Sequence, residues 1–395
     1  MTEKLTPLLT QYLAVFGLLG INLFTFLLQN ILFRGSDALV YVLALQQLIL
    51  VSQMVSLLLI DQYVVEYKKL PEIEKPAIPF TIGISFLTLI PLYYLLFYYN
   101  LEKIGLNENL SLANGSVLLS LLVLFQAFGL LLSQIAHAEG RISLSYIANY
   151  PTAFGLLAGT AGYYYTGQQV ILICLALGTS AIFTIIISHQ YRIAIGKFNA
   201  RFLLRLIYQS VYVRGAHNIH NIATPLFVTN YAAISKDQLE ILNSKRIIDM
   251  IINGLLTVYT KRLLLDYLEV KNKKLSNYKL PKLYYALLTI ILILSLLVGA
   301  IMMINSNQDL SLIIGLACLI SAFSIQIISE LRYTTINIVN GNIRYIYIAN
   351  LTYLVILLAS FHFDIYNITL FWGTLACGQF AIFKVNRFGA IKNYG

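Results

Sequence analysis

Apolar stretches of about 20 residues recur along almost the whole chain, and they constrain its fold more than any other feature. A helix needs about 20 such residues to cross the hydrocarbon core of a bilayer. Windows of that length predict an all-α membrane protein with twelve transmembrane helices. In chain order the predicted spans are 8–33, 38–60, 80–99, 111–136, 145–164, 168–188, 207–230, 239–260, 283–304, 310–329, 345–361 and 365–383.

The composition excludes a water-soluble protein of this length. Of the 395 residues, 58% are hydrophobic and only 11% are charged, whereas soluble proteins carry about 25% charged residues. This small number of charged residues cannot cover the surface of a protein in water. Lipid must therefore replace water over most of the surface. The net charge of +10 lies mainly in short loops, which argues against a nucleic-acid partner. The three cysteines lie within apolar runs and form no metal or disulfide pattern.

The loop charges predict the orientation of the helices. On the side that holds the N-terminus, the loops and termini carry 21 Lys and Arg residues, and the opposite loops carry 3. Cytoplasmic loops are the ones enriched in Lys and Arg. The alternation therefore predicts that both termini are cytoplasmic.

Tyrosines cluster at the ends of the predicted spans. The clusters include Tyr93, Tyr94, Tyr98, Tyr99, Tyr163, Tyr164 and Tyr165. Tyrosine is enriched where a membrane meets water, so these positions predict an interfacial aromatic belt rather than a surface that stacks against sugar.

An internal repeat relates the two halves of the chain. Residues 140–149 align with residues 341–350, with six of ten positions identical. The same offset of 201 residues superposes the first six predicted spans on the last six. We therefore predict an N-terminal half at 1–188, a basic cytoplasmic linker at 189–206 and a C-terminal half at 207–395. Such parallel repeats enclose a site near the midplane and alternate its access; a duplicated structural protein is the alternative.

Charged residues within the membrane collect in spans seven and eight. A charge at the bilayer centre costs about 2.5–3.5 kcal/mol, so it usually faces a cavity or a partner. One face of span seven carries Arg214, His217, Asn218 and Asn221. Span eight carries Lys245, Arg246 and Asp249.

This cluster predicts a cavity that binds an anion. Three bases outnumber the single acid, and a guanidinium can hold two phosphate oxygens at once. The alternative for Lys245 and Arg246 is a position near the headgroups, reached by snorkelling. Asp249 is a candidate for coupling to a cation gradient or for a structural ion pair. The spacing of His217 and His220 favours a polar wall over a metal site, because no acidic or thiol ligand lies nearby in the sequence.

The matching spans of the first half are polar without being charged. Span one carries Asn22, Gln29 and Asn30, and span two carries Gln46, Gln47 and Gln53. Amides at this depth usually form hydrogen bonds between helices. We favour that role, and the alternative is contact with the hydroxyl groups of a sugar, for which Asn22, Asn30, Gln46 and Gln47 are the candidates.

Short turns of small residues follow spans four and ten, at residues 136–141 and 338–342. Together with the six-plus-six plan, they resemble the O-antigen and polysaccharide flippases of the multidrug/oligosaccharidyl-lipid/polysaccharide (MOP) exporter superfamily. The resemblance implies a V-shaped, MATE-like bundle pair that moves undecaprenyl-diphosphate-linked oligosaccharide across the bacterial inner membrane. It also implies that Arg214, Lys245 and Arg246 form the cationic cavity.

The resemblance further implies a transporter without a cofactor. A proton or sodium gradient, a polysaccharide polymerase and chain-length proteins are its expected partners. The chain departs from many relatives because it has no acid within its first two predicted spans.

Two other functions compete with the flippase. A cation-coupled drug exporter of the same superfamily would favour an acidic cavity, and the embedded cluster is basic. A membrane polymerase or ligase would need a large external loop, but the predicted external loops have at most 11 residues. The sequence also lacks a G-x-S-x-G motif and a Walker A motif.

Overall fold

The structure is a computed structural model that describes most of the first half of the chain and part of the second. The described residues are 2–33, 36–72, 74–104, 111–191, 193, 196, 198–211, 261, 265, 325, 333, 334, 337, 343–362 and 368–392. All regular secondary structure within these residues is helical. Residues up to Val211 belong to one compact unit, and those from residue 261 onward belong to another.

The first unit consists of helices that follow the predicted spans. They are α1 (Thr2–Leu32), α2 (Asp37–Ile60), α3 (Tyr63–Lys68), α4 (Ile78–Leu87), α5 (Ile90–Ile104), α6 (Leu112–Ala138), α7 (Ile142–Ile147), α8 (Tyr150–Thr166) and α9 (Gln169–Ser188). A short 3-10 helix (Lys75–Ala77) precedes α4. Each of the first six predicted spans coincides with one helix or with two consecutive helices.

In the second unit, α10 (Ile343–His362) and α11 (Ile368–Lys392) coincide with the last two predicted spans. The predicted spans seven to ten lie outside the described residues except for a few positions. Residues 200–211, named here the linker helix, are helical. The predicted boundary between linker and span seven, at residue 207, therefore falls inside a helix.

Four stretches within the described residues are long and apolar enough to cross a membrane. They are Tyr41–Lys68, Ile78–Leu101, Leu112–Ala138 and Gln169–Ser188. With the low charge content, they support a multi-pass membrane protein. The total of twelve spans and the cytoplasmic position of the termini stay predictions.

Prolines divide two of the predicted spans. Pro91 lies in the first turn of α5 and Pro151 in the first turn of α8. A proline has no N–H to donate to the carbonyl four residues earlier, and its ring clashes with that carbonyl. The third span is therefore split into α4 and α5, and the fifth into α7 and α8.

The internal repeat has a structural counterpart in both units. Asn149 donates its side-chain amide to the Ser145 carbonyl at 3.1 Å, and Asn350 donates to the equivalent Ile346 carbonyl at 2.8 Å. One difference between the two copies affects the helix, because Thr352 stands where the first copy has Pro151. As a result, α10 continues unbroken through the position at which the first copy starts a new helix.

The core of the first unit lies among α2, α5, α6 and α9. Its fully buried side chains include Leu45, Tyr93, Phe97, Leu119 and Ile173. Beside it, α8 packs closely on α9 through glycines. A Cβ atom on Gly159 would lie only 2.5 Å from the Leu172 carbonyl oxygen. Small residues of this kind let helix backbones approach each other within a membrane.

Candidate functional site

The predicted cationic cluster lies outside the described residues. This applies to Arg214, His217, Asn218, Asn221, Lys245, Arg246 and Asp249. Their assignment to a cavity stays a prediction. No group of three His, Cys, Asp or Glu side chains that could hold a metal ion occurs among the residues that the structure describes.

The candidate amides of the first half lie on α1 and α2. Asn22 is half-buried on α1, and Gln46 is buried on α2 with 7% of its surface exposed. Asn30 and Gln47 also belong to these helices, but their side chains lie outside the described part. Gln46 is thus better placed for contacts between helices than for contact with a substrate in water.

Two further amides form hydrogen bonds between distant helices. Gln29 on α1 donates from Nε2 to Thr160 Oγ1 on α8 at 2.8 Å. Gln53 on α2 donates from Nε2 to Gln126 Oε1 on α6 at 2.6 Å. At these two positions, the interpretation that amides connect helices agrees with the structure.

Helix α1 is attached to α8 at a second level. The Tyr150 hydroxyl donates to the Ala14 carbonyl at 2.9 Å, and Gly17 leaves the space that this ring occupies. Together with the bond from Gln29, this contact fixes α1 near its middle and near its C-terminal end. Tyr150 and Thr160 were not among the residues predicted from the sequence, although the small residues of α8 were a signal of close packing there.

The prediction of an interfacial aromatic belt agrees with the structure for only some of the tyrosines. Tyr99 and Tyr165 are exposed at 67% and 84%. Tyr93, in contrast, is fully buried and forms a 2.6 Å hydrogen bond with Ser56. Tyr163 is also buried, and its ring lies 5.4 Å from that of Phe33. Both tyrosines lie on the inward face of their helices, where packing decides burial more than the distance to the helix end does.

The turn at residues 136–141, which is part of the family resemblance, depends on Gly140. The N–H of Arg141 donates to the Ala136 carbonyl at 2.8 Å, and the N–H of Gly140 donates to the His137 carbonyl at 3.0 Å. This pair of bonds is the Schellman motif, which needs a left-handed residue after the helix. Gly140 supplies it with φ of 77°.

Arg141 connects this turn to the end of α9. Its guanidinium lies 5.2 Å from the ring centre of Tyr191, pairs with Glu139, and donates to the Gln190 carbonyl at 3.4 Å. Burial raises the pKa of the Tyr191 phenol above its ordinary value, an effect that Arg141 partly offsets. The pair of charges and the buried ring together hold the ends of α6 and α9 in place.

An apolar groove lies on the outer part of the first unit between α4, α6 and α9. Its volume is about 380 Å³. Gly83 and Ile84 line it from α4, Phe128 from α6, and Thr184 and Ile185 from α9. Ile84 and Ile185 are exposed at 36% and 54%, so the groove is open at the surface rather than closed within the bundle.

Solved structures with the same fold are transporters. The sequence matches no protein-family model and no curated protein. A MOP superfamily transporter from Pyrococcus furiosus is similar at a TM-score of 0.63 with 13% identity, over 98% of this chain and 95% of that chain. A MATE protein in complex with Br-NRF gives a TM-score of 0.58 with 14% identity, over 98% and 91%.

An outward-facing multidrug resistance MATE family transporter of the MOP superfamily gives a TM-score of 0.57 with 14% identity, over 98% of this chain and 93% of that chain. Identities this low show the fold and not the substrate. The chain therefore has the fold of MATE and other MOP superfamily transporters.

Proposed function

We propose that this chain is a flippase that translocates an anionic lipid-linked oligosaccharide across a bacterial inner membrane by alternating access. The proposed substrate is undecaprenyl-diphosphate-linked oligosaccharide, which is moved from the cytoplasmic to the periplasmic leaflet. The observation that carries the proposal is the surplus of basic residues in predicted spans seven and eight. The transporter fold supports it.

Charge complementarity determines the proposed substrate class. Arg214, Lys245 and Arg246 receive the diphosphate, and the two guanidinium groups each bind two phosphate oxygens. His217, Asn218 and Asn221 follow on the same face of span seven and contact polar groups of the cargo. A cavity with this charge attracts a diphosphate and repels a cationic drug.

The first half contributes uncharged polar groups. We assign Asn22, Asn30 and Gln47 to contacts with sugar hydroxyls, and the burial of Gln46 favours a helix contact for that residue. Asp249 either couples transport to a proton or sodium gradient or forms an ion pair with Lys245 or Arg246. Asp249 lies four residues after Lys245 and three after Arg246. Side chains at these spacings are neighbours on a helix.

A drug exporter of the same fold is the second candidate. The similar structures include MATE proteins, among them one determined in complex with Br-NRF. For the Pyrococcus furiosus transporter, reverse polarity of the binding pocket is reported to suggest a different function. The polarity of the pocket is therefore the property that separates the two candidates. A polymerase or ligase is less well supported, because the fold is that of transporters.

Deletion of the gene followed by profiling of lipid-linked sugars tests the proposal. A flippase predicts that the lipid-linked oligosaccharide accumulates on the cytoplasmic leaflet and that surface polysaccharide is lost. Normal surface polysaccharide in the deletion strain would reject the function. Greater sensitivity of that strain to cationic dyes, with normal polysaccharide, would support the drug exporter instead.

A further inference from the structure

The groove between α4, α6 and α9 has the shape and polarity of a site for a hydrocarbon chain. Its walls are almost entirely aliphatic and aromatic side chains. A volume of about 380 Å³ holds roughly a dozen methylene-sized groups, if the ~30 Å³ of a liquid water molecule is taken as the unit. Water in such a groove would find few polar partners, so hydrocarbon is the favoured occupant.

The position of the groove assigns it to one leaflet. Its lining residues come from α4 and from the C-terminal halves of α6 and α9. These helix ends adjoin Lys75, Arg141 and the linker helix, which the distribution of loop charges predicts to be cytoplasmic. The occupant is therefore a lipid of the cytoplasmic leaflet.

One polar atom of the groove has no hydrogen-bond partner among the residues that the structure describes. The Thr184 side chain is only 5% exposed, and its hydroxyl oxygen is buried without a hydrogen bond. Its neighbours on α9 are satisfied, since Ser180 donates to the Pro151 carbonyl and Ser188 donates to the Ile185 carbonyl. A buried hydroxyl without a partner is unfavourable, so Thr184 requires an acceptor from the occupant.

Thr184 also lies at a depth that suits a glycerolipid. It is one helical turn, about 5.4 Å, further from the cytoplasmic end than Ser188. The ester carbonyls of a glycerophospholipid lie just below its headgroup, and they accept hydrogen bonds. An isoprenyl chain carries no acceptor below its phosphate groups.

The linker helix begins beside α4, which forms one wall of the groove. The backbone N–H of Asn199 donates to Thr81 Oγ1 at 3.1 Å, which places the start of the linker helix against α4. Arg201 and Arg205 follow on the exposed face of that helix. Basic side chains at the cytoplasmic surface attract anionic headgroups.

We infer that this groove binds an acyl chain of an anionic glycerophospholipid from the cytoplasmic leaflet. The Thr184 hydroxyl donates to an ester carbonyl, and Arg201 and Arg205 attract the headgroup phosphate. None of the residues that line the groove belongs to the predicted cationic cluster, and its occupancy does not depend on what the protein transports.

Photo-crosslinking of the full-length protein in nanodiscs tests the site. The probe is phosphatidylglycerol with a diazirine on one acyl chain, and the labelled peptides are mapped by mass spectrometry. Labels should concentrate on residues 79–87 and 184–193. Phosphatidylcholine with the same diazirine chain should label these peptides at least threefold less.

Matched variants separate occupancy of the groove from general lipid contact. A Cβ atom on Gly83 would lie 3.2 Å from Phe128 Cε1, so Gly83→Leu fills the groove. Gly178→Leu is the control, since Gly178 is exposed on α9 with no atom within 4 Å of its added Cβ. We expect Gly83→Leu to lower labelling at least fivefold and Gly178→Leu to leave it unchanged.

Thr184→Val keeps the shape of the side chain and should lower labelling roughly fivefold, the factor for the loss of one hydrogen bond. Equal labelling by both lipids, or undiminished labelling in Gly83→Leu, would overturn the inference. Displacement of the probe by undecaprenyl phosphate, but not by unlabelled phosphatidylglycerol, would also overturn it and would assign the groove to an isoprenyl chain.

Discussion

Replacing Gly159 by alanine should force α8 and α9 apart. The added Cβ would lie 2.5 Å from the Leu172 carbonyl oxygen and 3.2 Å from Ala176 Cβ, whereas ordinary contact begins near 3.4 Å. Because the nearer atom belongs to the backbone of α9, no side-chain rotation removes the clash. The two helices must therefore separate by about 0.9 Å at this point.

This separation weakens the packing along the whole α8–α9 contact. Overpacking of a well-packed interior costs about 1–3 kcal/mol, and a clash between two helix backbones belongs near the upper end of that range. For a chain of 395 residues, about 3 kcal/mol corresponds to a fall of roughly 4 °C in Tm. Membrane proteins of this kind often unfold irreversibly, so the apparent Tm is compared at a fixed scan rate.

The assay is size-exclusion chromatography of detergent-solubilised protein after heating. Gly178→Ala serves as the control, since nothing lies within 4 Å of its added Cβ. We expect Gly159→Ala to lose its monodisperse peak about 4 °C below the parent and Gly178→Ala to match the parent. An apparent Tm of Gly159→Ala equal to that of the control would refute the described contact between α8 and α9.

Three further predictions concern other contacts of the first unit. Gln53→Leu removes the donor to Gln126 and leaves the Gln126 side-chain amide buried without that hydrogen bond, so it should cost about 1–3 kcal/mol of stability. The double variant Gln53→Leu with Gln126→Leu should recover most of the apparent Tm. Pro151→Thr copies Thr352 of the second repeat and should join α7 and α8 into one straighter helix, which spin labels at residues 143 and 161 would report as a longer distance. The raised pKa of Tyr191 means that the folded protein favours the neutral phenol. The contribution of Tyr191 to the stability of the fold is therefore fully present below about pH 10, which is the pKa of tyrosine in the unfolded chain, and it declines above that pH. Tyr191→Phe should make this alkaline decline in Tm less steep, whereas the exposed Tyr165→Phe should not change it.

The positions of the helices followed from hydropathy alone. Six predicted spans in the first half and two in the second coincide with described helices, because apolar runs of this length have few other stable structures in a bilayer. The breaks at Pro91 and Pro151 were missed, since a hydropathy window does not register a missing hydrogen-bond donor.

Side-chain partners were harder to predict than helices. The burial of Tyr93 and Tyr163 depends on which face of each helix meets its neighbours, and a tyrosine near a span end carries no such information. The bonds from Gln29 and Gln53 join positions 131 and 73 residues apart, so only the general tendency of amides to bond across helices was available. The resemblance to the MOP superfamily is confirmed at the level of fold, and the flippase activity stays a proposal.

Transport by purified protein in liposomes tests the central claim most directly. The measurement follows the translocation of fluorescent undecaprenyl-diphosphate-linked oligosaccharide by the parent, Arg214→Ala, Arg246→Ala and Arg214→Lys, each at an equal amount of folded protein. An anion-binding cavity predicts that both alanine variants lose most of the parental rate. Arg214→Lys should keep part of that rate, because it retains the charge without the bidentate geometry. Parental rates in both alanine variants would contradict the claim that these embedded bases bind the cargo.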